Sequence, residues 1–127
     1  MNRTFLALLL SLLWLTICTV LLTIPGNNLP SEHWIGIWAE KIQLDKWVHV
    51  GLFTIMVILW SWTFSNKPSN KKNSIYLLIT ILWIAYGIGM EFVQKYFVVN
   101  RSFDKWDMLA DAVGATIGYF FSKKYFK

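Results

Sequence analysis

The sequence contains one cysteine, three prolines and only seven acidic residues among its 127 residues. Cys18 has no second cysteine to pair with, so it indicates nothing about the redox compartment, and we assign it a packing role. No Gly-x-Ser-x-Gly motif occurs, and no serine or cysteine is obviously paired with a histidine, which argues against nucleophilic catalysis. Internal repeats and low-complexity segments are also absent.

Long apolar segments are abundant instead. The composition is 56% hydrophobic with a mean hydropathy of +0.47. Four runs, at residues 5–24, 47–64, 75–97 and 106–121, each approach the ~20 residues that cross a hydrocarbon layer. We therefore predict a single all-α membrane domain over residues 1–127, a bundle of four transmembrane helices. The first run is too long for a signal-peptide core and lacks a small-x-small cleavage site, which predicts a retained anchor.

The charges divide between the two sides of the predicted membrane. All acidic residues fall on one side. The other side carries basic residues in short segments beside the spans, namely Arg3, Lys67, Lys71, Lys72, Lys123, Lys124 and Lys127. The positive-inside rule places this side in the cytoplasm and explains the net charge of +5 better than nucleic-acid binding does. Both termini are therefore predicted to be cytoplasmic, with the acidic side outside.

The loops carry two further patterns. After the turn-forming Pro25, the residues Trp34, Trp38 and Ile42 recur every four positions. This spacing is typical of a short interfacial helix lying flat on the outer bilayer surface, and a lid over a site beneath it is the alternative. The inner loop, residues 65–74, is predicted to be a solvated connector.

The last predicted helix carries Ala110, Gly114 and Gly118 at fourfold spacing. Such a small-residue stripe lets helix backbones approach closely in lipid. We expect it to pack within the chain, and dimerisation is the alternative.

Ionisable and amide side chains recur near the outer ends of the last three helices. They are Asp45, Lys46 and His49, then Glu91 and Gln94, then Asp107 and Asp111. Within each helix, Asp45 and His49, Glu91 and Gln94, and Asp107 and Asp111 share a face at three- or four-residue spacing. At 1.5 Å per residue, Glu91 lies about 9 Å and Asp111 about 7 Å below the outer surface. A carboxylate at mid-bilayer costs on the order of 2.5–3.5 kcal/mol, less near the surface, so these groups should face the bundle interior and find partners. Arg101, in the loop between the last two helices, is the expected counter-charge, with Lys46 as a second candidate.

Three interpretations of these residues stay open. They could form a hydrogen-bonded network that fixes helix register. They could form a functional site, with His49 and Glu91 as a proton-transfer pair and with a ligand bound by Asp45, Lys46, Gln94, Arg101, Asp107 and Asp111. A divalent metal could also bind His49, Glu91, Asp107 and Asp111, but their spacing matches no metal signature, and no cofactor is predicted.

Taken in order, Asp45, Lys46, His49, Glu91, Gln94, Arg101, Asp107 and Gly114 resemble the pattern of the VanZ-like family, small bacterial membrane proteins named for a teicoplanin-resistance accessory. The resemblance covers roughly residues 45–118. It implies a multi-pass protein of the bacterial cytoplasmic (inner) membrane, with a link in some members to glycopeptide susceptibility and with no established reaction. The family usually has serine and asparagine where this chain has Asp104 and Asp111, so this site is more acidic.

We therefore expect an outward-facing polar pocket that binds a cell-envelope headgroup, such as a lipid-linked or cell-wall precursor. The lipid bilayer is the other expected partner, and nucleic acid is not one. Two alternatives stay open: a membrane enzyme acting on such a precursor by acid/base or metal-assisted chemistry, and a structural scaffold for envelope proteins. The sequence leaves open whether there is catalysis and what the oligomeric state is.

Overall fold

The computed structural model describes residues 1–25 and 44–127, and this part of the chain contains four α-helices and no strand. The helices are α1 (Arg3–Thr23), α2 (Leu44–Thr63), α3 (Ser69–Phe97) and α4 (Lys105–Tyr125). The predicted all-α class is confirmed. The predicted interfacial helix around Trp34, Trp38 and Ile42 lies outside the described residues.

The observed helix bounds differ most from the predicted apolar runs at the start of α3. This helix begins at Ser69 rather than near residue 75, so the prediction that the connector reaches residue 74 is wrong. Pro68 precedes the helix, and its carbonyl accepts a hydrogen bond from Lys71 N at 3.0 Å. Hydropathy marks the part of a helix that lies in hydrocarbon, whereas the helix itself continues where its polar side chains reach water.

Three of the described helices, α1, α2 and α3, are long and apolar enough to cross a membrane. The fourth, α4, carries Asp107 and Asp111 toward its beginning and Lys123 and Lys124 toward its end. These charges dilute its apolar stretch, which explains why it does not qualify on composition. The structure thus supports membrane-helix character for three of the four predicted spans.

The helices α2 and α4 pack with their backbones in contact. A Cβ atom on Gly114 would overlap the carbonyl oxygen of Val50 and lie 2.9 Å from its Cα. A Cβ atom on Gly118 would lie 2.8 Å from the carbonyl oxygen of Thr54. In addition, Thr54 Oγ1 donates to the Gly114 carbonyl at 2.9 Å. The small-residue stripe, with Ala110, therefore packs within the chain, as predicted.

The helices α1 and α3 attach to this pair, and to each other, through an apolar core and a few hydrogen bonds. The buried core residues at this contact are Cys18, Leu22, Leu52, Phe53, Met56 and Met90. Trp14 Nε1 donates to the Leu52 carbonyl at 3.0 Å, and the hydroxyls of Thr19 and Tyr86 lie 2.7 Å apart. Cys18 is fully buried and has no disulfide partner, which agrees with its predicted packing role.

The two ends of the bundle differ in charge. At one end, Asn66 donates to Thr4 Oγ1 at 2.7 Å and Tyr76 donates to the Phe126 carbonyl at 3.0 Å. We call this the basic end, and its basic residues are Arg3, Lys67, Lys71, Lys72, Lys123, Lys124 and Lys127. Every acidic residue in the described part of the chain lies toward the opposite end, as the sequence predicts.

Candidate functional site

Three helices bring ionisable side chains together at the end of the bundle opposite the basic end. We call this set the charged cluster, and it consists of Asp45, Lys46 and His49 from α2, Glu91 from α3, and Asp104, Asp107 and Asp111 from the start of α4. The most buried members are Glu91, which is 1% exposed, and Asp111, which is 2% exposed. Polar groups buried this deeply need partners, and the cluster supplies them.

Lys46 joins α2 to the beginning of α4. Its ammonium nitrogen lies 2.6 Å from Asp45 Oδ2, 2.7 Å from Asp104 Oδ2 and 2.7 Å from Asp107 Oδ1. An ammonium group has three N–H donors, and three carboxylates accept from it here. Lys46 is therefore the cation that pairs with the carboxylates in this part of the cluster, the role that the sequence assigned first to Arg101.

His49 lies between two carboxylates of α4. Its Nδ1 is 2.7 Å from Asp111 Oδ1, a hydrogen-bonding distance, whereas its Nε2 is 3.6 Å from Asp107 Oδ2, which is too long for a hydrogen bond. Asp107 thus faces both Lys46 and His49. The bond to Asp111 fixes the imidazole ring, and such a pair is equipped to hold or transfer a proton.

Asp104 links all three helices, although it is not among the predicted site residues. Its backbone N–H donates to Glu91 Oε2 at 3.0 Å, and its side chain caps α4 by accepting from Trp106 N at 2.8 Å. The ammonium of Lys46, through its hydrogen bond, lowers the pKa of Asp104 below its usual value of 3.8. An aspartate just before a helical run is an N-cap signal, and that signal could have identified the position.

Two predicted site residues lie apart from the cluster. Gln94 is 1% exposed, and its Nε2 donates to the Leu22 carbonyl at 2.7 Å. That carbonyl belongs to the last turn of α1, where helical partners are lacking, so Gln94 ties α3 to α1. Arg101 is half-buried in the turn after Asn100, whose φ is 58°. Within residues 1–25 and 44–127, Arg101 forms no ion pair with a carboxylate.

Part of the cluster has the donor atoms of a metal site. Ligand atoms of His49, Glu91 and Asp111 all lie within 4.8 Å of one another, and all three residues are buried. One imidazole nitrogen with two carboxylates is a set that suits several divalent transition metals. The fourth residue of the predicted metal set, Asp107, instead accepts from Lys46.

Gly87 of α3 provides the space that Asp111 occupies. A Cβ atom at this position would lie 2.7 Å from Asp111 Oδ2 and 3.0 Å from Phe53 Cε1. Both distances are shorter than an ordinary van der Waals contact. The absence of a side chain at Gly87 therefore lets the buried carboxylate sit against α3.

We expect Gly87→Ala to displace the Asp111 carboxylate and to weaken its hydrogen bond with His49, because the added methyl group overlaps it. The measurement is the imidazole ¹⁵N NMR signal of His49, recorded in a His33→Gln background because the chain has two histidines. Gly89→Ala on the same helix is the control, since a Cβ there would meet nothing within 4 Å. Identical His49 signals in both variants would contradict this packing.

Comparison with known proteins supports the predicted family. A family model described as VanZ/LLP1 matches residues 5–126, nearly the whole chain. An uncharacterized protein of the fission yeast Schizosaccharomyces pombe, C11E3.10, is 28% identical over 83 residues, which are 65% of this chain. The chain spans 49% of the length of that relative. No solved structure matches this chain significantly.

Proposed function

This chain belongs to the VanZ/LLP1 family, and from that premise we propose that its charged cluster forms the floor of a pocket that binds a polar cell-envelope headgroup. In this proposal all four helices cross a bacterial inner membrane. The basic end and both termini lie in the cytoplasm, and the charged cluster faces outward. The headgroup belongs to a lipid-linked or cell-wall precursor, which connects the protein to envelope homeostasis and glycopeptide susceptibility.

The observation that carries the proposal is the convergence of His49, Glu91 and Asp111, all buried and with ligand atoms within 4.8 Å of one another. A polar pair between membrane helices typically contributes less than about 2 kcal/mol, so helix packing alone is a weak reason to bury carboxylates here. Ionisable residues inside a membrane usually mark a binding site or a proton path. This favours a functional site over a network that only fixes helix register.

The balance of charges favours a particular headgroup chemistry. Carboxylates outnumber basic groups in the cluster, and the ammonium of Lys46 already donates to three of them. The free hydrogen-bonding capacity of the pocket is therefore mainly that of acceptors, which suits the hydroxyl or ammonium groups of a sugar or peptide. Arg101 is the group that we assign to the anionic part of the same ligand, because a guanidinium binds phosphate or carboxylate with two bonds.

In this mechanism the two basic groups of the cluster are oriented by α4. Asp107 and Asp111 hold Lys46 and His49, while Glu91 and His49 hydrogen-bond the ligand or exchange a proton with it. Asp45 and Asp104 complete the ion-pair network around Lys46.

We expect Arg101→Ala and Asp107→Asn to lose most of an envelope precursor that co-purifies with the wild type, because each removes a contact to the headgroup or to its orienting network. The measurement is mass spectrometry of lipids extracted from protein purified in mild detergent. The control is Lys105→Ala, since Lys105 is an exposed cation at the start of α4 without an ion pair in the described residues. Equal retention of the precursor by all four proteins would refute the pocket.

The scaffold alternative makes a different prediction for conservative variants. Glu91→Gln and Arg101→Lys retain size and hydrogen bonding, so a scaffold would keep its teicoplanin susceptibility phenotype in both. In the pocket proposed here, both variants alter that phenotype, because the carboxyl group of Glu91 and the two-pronged guanidinium of Arg101 are each needed.

The enzyme alternative is favoured by one observation, the metal-like grouping of His49, Glu91 and Asp111. If a divalent metal were bound there, it would supply Lewis-acid activation of a phosphate or a water molecule. Elemental analysis of the same purified samples distinguishes the cases. A stoichiometric metal that Asp111→Asn removes would support metal-assisted catalysis, and its absence in wild type would confine the enzyme alternative to metal-free acid/base chemistry by His49 and Glu91.

A further inference from the structure

An apolar groove runs between α2 and α3 near the basic end, far from the charged cluster. Its volume is about 510 Å³, and its lining includes Trp60, Phe64, Leu78, Leu82 and Trp83, with Lys67 as its charged residue. We call it the α2–α3 groove. This volume lies in the range of about 300–1,000 Å³ that is usual for ligand clefts.

The groove extends over much of the hydrocarbon depth of one bilayer leaflet. Ile75, Leu78 and Leu82 line it from one face of α3, and at 1.5 Å per residue they extend over roughly 10 Å. Half of a hydrocarbon core of about 30 Å is about 15 Å. The groove therefore runs from the polar surface at the basic end toward the middle of the membrane, which is the course of an acyl chain.

The charge at the mouth of the groove indicates the chemistry of the ligand's headgroup. Lys67 is exposed at the mouth, and Lys71 and Lys72 follow in the first turns of α3. No Asp or Glu of the described residues lies at this end, so these ammonium groups form no ion pair with an acidic side chain there. Basic residues beside a membrane helix attract anionic lipid headgroups.

We propose that the α2–α3 groove binds an anionic phospholipid of the leaflet at the basic end, with an acyl chain against Trp60, Leu78 and Trp83 and with the phosphate on Lys67. Trp60 and Trp83 form a rigid wall, since their rings pack 5.5 Å apart between centroids. A partner helix is a poorer occupant because a lysine at the mouth matches a phosphate rather than an apolar helix surface. This inference is independent of the function proposed for the charged cluster.

The first experiment tests the headgroup contact. Wild-type protein is reconstituted with equal amounts of phosphatidylglycerol and phosphatidylcholine, and the retained lipids are counted by native mass spectrometry. We expect a preference for phosphatidylglycerol that falls about fivefold in Lys67→Gln, since one lysine near an anionic surface contributes about 1 kcal/mol. The matched control is Lys71→Gln, because Lys71 is exposed in the same segment but does not line the groove. Equal losses in both variants would show general charge attraction and would overturn the site.

The second experiment tests the groove itself without changing any charge. Leu78→Trp fills the groove, whereas Leu77→Trp places the same bulk on a neighbouring residue that does not line it; the two leucines are 56% and 48% exposed, respectively. We expect bound phosphatidylglycerol to be lost in Leu78→Trp and retained in Leu77→Trp. Both positions face away from the core, so folding, checked by the melting temperature in detergent, should be unaffected. Retention of the lipid by Leu78→Trp would contradict the proposal.

Discussion

Gly114→Ala is expected to lower the free energy of unfolding by about 2 kcal/mol, because overpacking a close contact typically costs ~1–3 kcal/mol. The added Cβ would overlap the Val50 carbonyl oxygen and lie 2.9 Å from Val50 Cα. These are backbone atoms, so α2 and α4 must separate to accommodate the methyl group. The measurement is reversible unfolding of the purified protein in mixed micelles, followed by helical circular dichroism.

Two other glycines of the bundle serve as controls for this effect. A Cβ on Gly51 or Gly89 would meet nothing within 4 Å. Alanine is a better helix former than glycine by up to about 1 kcal/mol, so Gly51→Ala and Gly89→Ala should leave stability unchanged or raise it. A Gly114→Ala protein as stable as these two variants would show that α2 and α4 do not touch as described.

Lys46→Met is expected to cost about 2 kcal/mol of stability, less than the ~3–5 kcal/mol for breaking a fully buried ion pair, because the Lys46 side chain is 21% exposed. The substitution keeps the length and most of the apolar stem but removes the ammonium group. Asp45, Asp104 and Asp107 then repel one another without a cation between them. Unfolding measured at neutral pH in the same micelles gives the difference from wild type.

This loss should depend on pH with a defined sign. In the wild type, Lys46 holds the pKa of Asp104 below 3.8, so the stabilisation is present above that pH and is lost as the pH falls through the lowered value. The variant lacks this stabilisation, so its deficit should stay nearly constant down to about pH 4 and should shrink only as the pH falls further, through the lowered pKa of Asp104. Lys105→Met is the control, since the exposed Lys105 forms no ion pair in the described residues. A deficit that persists unchanged in acid would point to lost packing rather than lost charge.

The sequence predicted the helices well because a bilayer constrains them strongly. Apolar length and helical spacing placed His49, Glu91 and Asp111 on inward faces, and the structure finds them together and buried. The small-residue stripe with Gly114 was similarly informative, since side-chain size controls how closely two membrane helices approach. These features are local in sequence and follow from period and composition.

The details of the site were less predictable because they depend on which partners each side chain can reach and on which side chains compete for the same partner. The sequence favoured Arg101 over Lys46 as the partner of the carboxylates, and only the positions of the helices show that Lys46 contacts three of them. Gln94 shares a face with Glu91, yet its amide reaches a carbonyl of α1 instead of the cluster. The space that Gly87 leaves for Asp111 depends on how α3 and α4 pack together, so it cannot be predicted from the sequence of either helix alone.

The backbone contact at Gly114 and Gly118 also limits how this protein can move. Two helices that touch along their main chains cannot slide or tilt past each other without a steric clash, so α2 and α4 should behave as one rigid body. By contrast, α3 and α1 are joined by side chains alone, through apolar contacts and two hydrogen bonds, Gln94 to the Leu22 carbonyl and Thr19 to Tyr86. We therefore expect any opening of the bundle that lets a molecule enter between its helices to occur by movement of α1 and α3, while α2 and α4 stay fixed relative to each other.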